Sequence, residues 1–231
     1  MLELFQITGS CSFAARAALE EAGAEYVTVD VHPRRREEIP EFAAVNPLLR
    51  VPALRDGADH VYETGAVLLY LVECLPGRGL GPLPGEPRRG ELLRWVTWLA
   101  DTLHDAYHPL DAPRFLTDDS VGYSGIERKG RDRLDAYGAY LEHELADGGW
   151  CVGDRFSVAD IYLYMLKGWE NYTEGYVLGG EALAAHYARV GARPAIARTR
   201  ALDDLDERLL RHHPELRAGE QITRQAGSPG L

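Results

Sequence analysis

The chain of 231 residues is poor in sulfur, in positive charge and in long apolar runs. Its three cysteines, Cys11, Cys74 and Cys151, fall at no regular spacing and read as reduced thiols of a cytosolic protein rather than a disulfide set. No second cysteine follows Cys11 at the interval a dithiol redox motif needs; the stretch reads Cys11-Ser12-Phe13-Ala14. Lys and Arg number 25 against 36 Asp and Glu, a formal net charge of −11. That balance argues against nucleic acid and anionic membranes as main partners. It leaves room for a small anionic ligand, which needs only a local basic patch. No segment approaches the length of a membrane span, and the opening "MLELFQITGS" lacks the basic start and apolar run of a signal peptide. A cytoplasmic protein is the expectation. No internal repeat is present.

What is there is an ordinary apolar fraction, 45%, enough for a sizeable core. "LELFQI" has strand character and ends at Thr8-Gly9. From Ser12, the positions Phe13, Ala14, Ala17, Ala18 and Ala22 recur at helical spacing, and Gly23 is a good terminator. "YVTVDVH" reads as a second strand, so the first module begins as βαβ with a parallel pair. "RVPALRDG" and "HVYE" read as an antiparallel pair around Asp56-Gly57, followed by a helix in "TGAVLLYLVECL". This predicts an α/β domain of the form βαβ–ββα over 1–76 and a Pro/Gly-rich linker over 77–87. An all-α helical bundle follows over 88–218, then a flexible tail over 219–231. Within the bundle, Leu92, Val96, Leu99, Leu103 and Leu110 keep helical spacing. "SVADIYLYMLKGW" is apolar nearly all round and predicts a buried helix. A last helix is expected from Pro194 to about Leu210.

Four stretches carry chemistry or a folding signal. Cys11 lies between Ser10 and Ser12 where a helix begins, a setting that lowers a thiol pKa through the dipole and free N–H groups. Pro52 enters a strand, so Val51–Pro52 is a candidate cis bond. Glu63 precedes Thr64, a good N-cap, and together they offer a carboxylate beside an anion-binding helix end. Ser157 and Asp160 have the spacing of a capping box, with Phe156 and Ile161 at staple positions. Thr97, Asp101, His104 and His108 fall on a second face of the helix expected over 88–108. The histidine pair shares a face, but with no third clear ligand no metal is expected.

Together, the Ser-Cys-Ser turn, "VNPLLRVPAL", "ETGAVLLYL" and "GDRFSVADIYL" resemble the cytosolic glutathione S-transferase family, most closely its bacterial beta class. The resemblance extends over all but the C-terminal tail. It implies a thioredoxin-like N-terminal domain, an all-helical C-terminal domain, glutathione as co-substrate and a homodimer. The backbone of Val51, turned outward beside Pro52, would pair with the cysteinyl part of glutathione. Glu63 and Thr64 would hold the γ-glutamyl ammonium and carboxylate. Arg35, within the run Arg34-Arg35-Arg36, or Arg50 would meet the glycine carboxylate. The class has a histidine near the thiol at a position matching His104, and Thr97 and Asp101 lie where one subunit reaches the glutathione of the other. Tyr107, His108, Phe115 and Trp169 would wall an apolar pocket, with Tyr164 equally readable as core. The class usually has lysine after the histidine; here Asp105 reverses that charge.

Three readings of the turn remain open at this stage: Cys11 as the main catalytic group, Ser10 or Ser12 in that role, or a thiol without chemistry. The activity expected is conjugation of glutathione to small hydrophobic electrophiles, with thiol–disulfide exchange if Cys11 is the group. A glutathione-dependent cis–trans isomerase is the alternative. It needs cations for a dicarboxylate, and only Arg16 and Arg114 offer themselves. A non-catalytic binding protein on the same fold is the reading of another class.

Overall fold

The computed structural model describes residues 1–33, 35–173, 176–212 and 221–225, without the side chains of Asp111, Asn171, Tyr172, 205–212 and 221–225. In chain order its elements are β1 (Leu2–Gln6), α1 (Ser12–Ala22), β2 (Glu25–Asp30), α2 (Pro40–Val45), β3 (Ala53–Asp56), β4 (Asp59–Tyr62) and α3 (Thr64–Cys74). There follow α4 (Arg89–Trp98), α5 (His104–Asp111), α6 (Tyr123–Glu144), α7 (Val158–Gly168), α8 (Glu181–Gly191), α9 (Pro194–His212) and β5 (Gln221–Gln225). Two compact units result: Met1–Gly85 with Ala192–Leu231, and Glu86–Gly191.

In the first unit the strand order is β4-β3-β1-β2-β5. β1 and β2 are parallel, with Leu4 opposite Thr28, as a βαβ unit requires; β3 and β4 are antiparallel. The buried face of α1 is mostly alanine, and Ala14, Ala15, Ala17 and Ala18 are fully buried. Small side chains let the helix axis lie close to its neighbours. Gly23, at φ 60°, ends α1 in the left-handed conformation that glycine adopts without a Cβ clash. The Val51–Pro52 bond is cis.

Two expectations change here. The final helix was expected in the helical bundle; α9 instead belongs to the first unit, packed along α1. Charges explain this. Arg16 bonds Asp203 at 3.0 Å, Arg193 grips Glu21 through two bonds of 2.8 Å, and Arg198 reaches Glu20 at 3.3 Å. The tail over 219–231 was expected to be flexible, yet Gln221–Gln225 forms a strand antiparallel to β2, with Val27 opposite Thr223. Main-chain hydrogen bonds to the open edge of β2 supply what the sparse apolar surface of that segment does not.

In the second unit, the helix expected over 88–108 is interrupted. α4 passes through a π-helical stretch, Leu99–Leu103, into α5. The stretch contains Asp101 and lies between Thr97 on α4 and the histidine pair on α5, so the four residues do not share one regular α-helix. Pro109 does not end α5: the Ala112 N–H still bonds the His108 carbonyl at 2.9 Å. Pro109 packs against Gly130 of α6, where a Cβ would come within 2.7 Å of the proline Cβ. α7 is buried from Val158 to Lys167, as its composition predicts. Ser157 and Asp160 form the expected capping box, with the Ser157 N–H bonding Asp160 Oδ2 at 2.8 Å.

Candidate functional site

The first unit gathers its candidate residues around one sulfur. Cys11 stands immediately before α1, and its Sγ–H donates to the Val51 carbonyl at 2.9 Å. Burial pushes the thiol above its ordinary pKa; the Thr64 hydroxyl, the backbone N–H of Cys11 itself and the Arg50 charge pull it down, and the Glu63 carboxylate pushes it up. The expectation of a thiol made more acidic by the helix end is therefore overturned in the ligand-free protein. Desolvation of the charged form outweighs the dipole. The N–H groups of Phe13 and Ala14, which would face an anion, are already turned to the Ser10 and Cys11 carbonyls.

The neighbouring serines are built into the turn. Ser10 Oγ donates to the Ile7 carbonyl at 2.6 Å and lies 3.0 Å from Ser12 Oγ, which accepts the Ile7 N–H at 3.3 Å. Ser12 is only 1% exposed. These hydroxyls shape the loop that presents Cys11.

Thr64 is the first residue of α3 rather than its cap. Glu63 is the cap, without a side-chain hydrogen bond, and holds φ 72°, a region a residue with a Cβ seldom occupies. Its exposed carboxylate is thereby held beside the helix end, where the N–H groups of Thr64, Gly65 and Ala66 have no intrahelical acceptor. Among the described residues, Val51 makes no main-chain hydrogen bond of its own, and its carbonyl accepts only the thiol.

The basic residues separate. Arg34 lies outside the described residues. Arg35 is paired with Glu38, and Arg36 donates to the Pro33 and Leu49 carbonyls at 3.0 and 3.2 Å. Arg50 is exposed, next to Val51, forms no ion pair among the described residues and acts on the Cys11 thiol.

The second unit holds a separate aromatic group. The His104 ring meets Trp169 edge-on at 4.8 Å and lies 5.8 Å from His108; its Nδ1 is 3.0 Å from the Tyr162 hydroxyl. Tyr107 meets the same Trp169 edge at 5.7 Å. Burial, helped by the nearby His108, lowers the His104 pKa to about 4, so its imidazole is neutral at pH 7. Asp105, where the beta class has a cation, is exposed and 3.4 Å from Arg133. Thr97 and Asp101 are exposed. Phe115 does not join the group: it is 77% exposed, with the Arg114 guanidinium 4.6 Å from its ring centre. Tyr164 is core, stacked on Tyr187 at 4.4 Å.

Sequence reasoning missed two partners. Tyr162 sits on the helix that reads as uniformly apolar; a buried tyrosine hydroxyl needing a partner was the available signal. His186, 1% exposed, bonds Asp160 Oδ1 through Nε2 at 2.8 Å, and the Cys151 N–H bonds the same oxygen at 2.8 Å. Nothing in the local sequence announces a contact spanning 26 residues.

The family models agree with this fold. Residues 1–73 match the glutathione S-transferase N-terminal domain and residues 104–198 a glutathione S-transferase C-terminal domain. The glutathione S-transferase GstA of Escherichia coli O157:H7 is 31% identical over 84% of this chain and 95% of its own length. A sphingomonad glutathione S-transferase solved in complex with glutathione is 33% identical, with a TM-score of 0.76 over 88% of this chain and 99% of that one. A bacterial beta-class enzyme from Sphingomonas chungbukensis is 29% identical, with a TM-score of 0.75 over 87% and 98%. The chain belongs to the glutathione S-transferase family, with bacterial beta-class neighbours. It is a transferase that takes glutathione as co-substrate.

Proposed function

We propose that the protein joins the glutathione thiol to small hydrophobic electrophiles, with Cys11 as the residue that meets the glutathione sulfur. One observation carries this: Val51, Thr64, Glu63 and Arg50 all act on the Cys11 sulfur, by hydrogen bond or by charge. Each offers what one part of the tripeptide requires. The α-carboxylate of the γ-glutamyl group takes the N–H donors at the start of α3, and its ammonium takes the Glu63 carboxylate. The cysteinyl main chain pairs with Val51 beside Pro52 in the manner of an added strand. The glycine carboxylate takes Arg50, since Arg35 is committed to Glu38.

Held this way, the glutathione thiolate attacks a bound electrophile with the advantage of an intramolecular reaction. Because Cys11 is a monothiol, exchange with glutathione and a bound disulfide is the second chemistry open to it. Ser10 and Ser12 act through the shape of the turn. The protein acts as a homodimer, with Thr97 and Asp101 reaching the partner's glutathione. The assignment to the cytoplasm is consistent with the lack, among the described residues, of any helix long and apolar enough to cross a membrane.

Of the two cations named for the isomerase alternative, one is committed elsewhere. Arg16 is fully buried and paired with Asp203, and Arg114 lies against Phe115. The test is a set of three variants, Cys11→Ala, Ser10→Ala and Ser12→Ala, assayed with an aromatic halide and with a small disulfide. Loss of disulfide exchange in Cys11→Ala alone supports the assignment. Exchange kept in that variant and lost in a serine variant refutes it. Light scattering on the eluting protein tests the dimer, and a monomer removes the roles given to Thr97 and Asp101.

A further inference from the structure

The contact between Cys11 and Val51 has a consequence for binding. Val51 presents a main-chain edge that no described element pairs: among the described residues its N–H has no partner and its carbonyl accepts only the Cys11 thiol. A cysteinyl peptide laid against such an edge must donate its own N–H to that same carbonyl. A carbonyl can accept two donors, but here one approach is filled by a sulfur lying 2.9 Å from the oxygen. Sulfur is large, and the thiol belongs to a turn fixed by four hydrogen bonds among Ile7, Ser10 and Ser12.

We propose that the Cys11 thiol is a built-in competitor of glutathione: it occupies the Val51 carbonyl in the free protein, and ligand binding exchanges this bond for one from the cysteinyl N–H. The inference rests on the glutathione site described above. The exchange is favourable because an amide N–H is a better donor than a thiol, but the displaced bond subtracts from the affinity. It also changes what Cys11 is. In the free protein the thiol donates to a carbonyl, which favours its protonated form. Once displaced from the carbonyl, it keeps the Thr64 hydroxyl, its own backbone N–H and the Arg50 charge, the influences that favour the thiolate. Cys11 is thus quiet while the site is empty and becomes more acidic when glutathione arrives.

The experiment is calorimetric titration with reduced glutathione, under reductant, of the wild type, Cys11→Ala and Cys11→Ser, each first checked for folding by circular dichroism. Alanine frees the carbonyl, and serine supplies a stronger donor to it. The expected order of affinity is Ala above Cys above Ser, with steps of roughly two- to tenfold. A second reading uses S-methylglutathione, which has no S–H of its own. The infrared S–H stretch that disappears in Cys11→Ala shifts to higher frequency when this ligand binds the wild type, because the thiol has lost its acceptor. Equal or weaker binding by Cys11→Ala, or an unmoved S–H stretch at saturation, overturns the inference while leaving the glutathione site intact. No binding by any of the three proteins removes the site itself.

Discussion

At the scale of single residues, two groups have consequences that can be measured. His104 is a half-buried imidazole with its pKa lowered to about 4 by desolvation and by His108, with Asp105 acting in the opposite sense. The unfolded chain takes up this proton near 6.5. Between those values the unfolded state binds more protons than the native one, so stability falls as pH drops from 6.5 towards 4. The loss from this group is at most about 3 kcal/mol. Chemical denaturation of His104→Asn across that range should show a shallower acid slope than wild type; an identical slope would exclude the assignment. Asp160 is the second group. Its two oxygens accept from the Cys151 N–H, the Ser157 N–H and hydroxyl and His186 Nε2. A lost cap alone costs about 1 kcal/mol. Asp160→Ala also strands a fully buried histidine, so roughly 3–4 kcal/mol is expected in urea unfolding. A cost near 1 kcal/mol would show that the His186 and Cys151 contacts add little. The capping box was legible because its partners lie three residues apart. The link to His186 was not, because it is made by the approach of two separate helices.

At the scale of elements, the period of the apolar residues located most helices, and the strand-like runs located β1 to β4 but not β5. What the pattern could not carry was phase within one long helix. Leu99 and Leu103 read as ordinary α-helical neighbours, yet they bound a π-helical stretch that contains Asp101 and lies between Thr97 and the histidine pair. Nor could it show that Pro109 would sit within a continuing α5, where its ring fills the space left by the missing side chain of Gly130. That close approach gives a direct test. Gly130→Ala places a methyl group against Pro109 and Leu110 and should destabilise the protein by about 1–3 kcal/mol through overpacking, despite alanine's better helix propensity. A gain in melting temperature would show that α5 and α6 can separate without loss. Cys11 illustrates the same limit for electrostatics. Its position at a helix start predicts a more acidic thiol, but the sequence does not report burial, and burial decides the direction.

At the scale of the molecule, the chain order of elements foretold a thioredoxin-like unit and a helical unit, while long-range charge pairs redrew their boundary. Arg16, Arg193 and Arg198 have no readable partners in sequence; in the fold they bind α9 and the residue before it to α1. A chain shortened before Pro194 is therefore expected to lose stability in the first unit, seen as an early transition in thermal unfolding. An unchanged first transition would mean that α9 is dispensable there. The same unit carries the claim on which the functional account depends, that Cys11, Val51, Glu63, Thr64 and Arg50 form one glutathione site. Calorimetric titration of the wild type with glutathione, repeated on Glu63→Ala, tests it most directly. The account predicts saturable binding to each chain at or below millimolar glutathione, with affinity reduced roughly tenfold or more in the variant, as expected when a charged partner is removed. No heat of binding at millimolar glutathione, or equal affinity in Glu63→Ala, would contradict it.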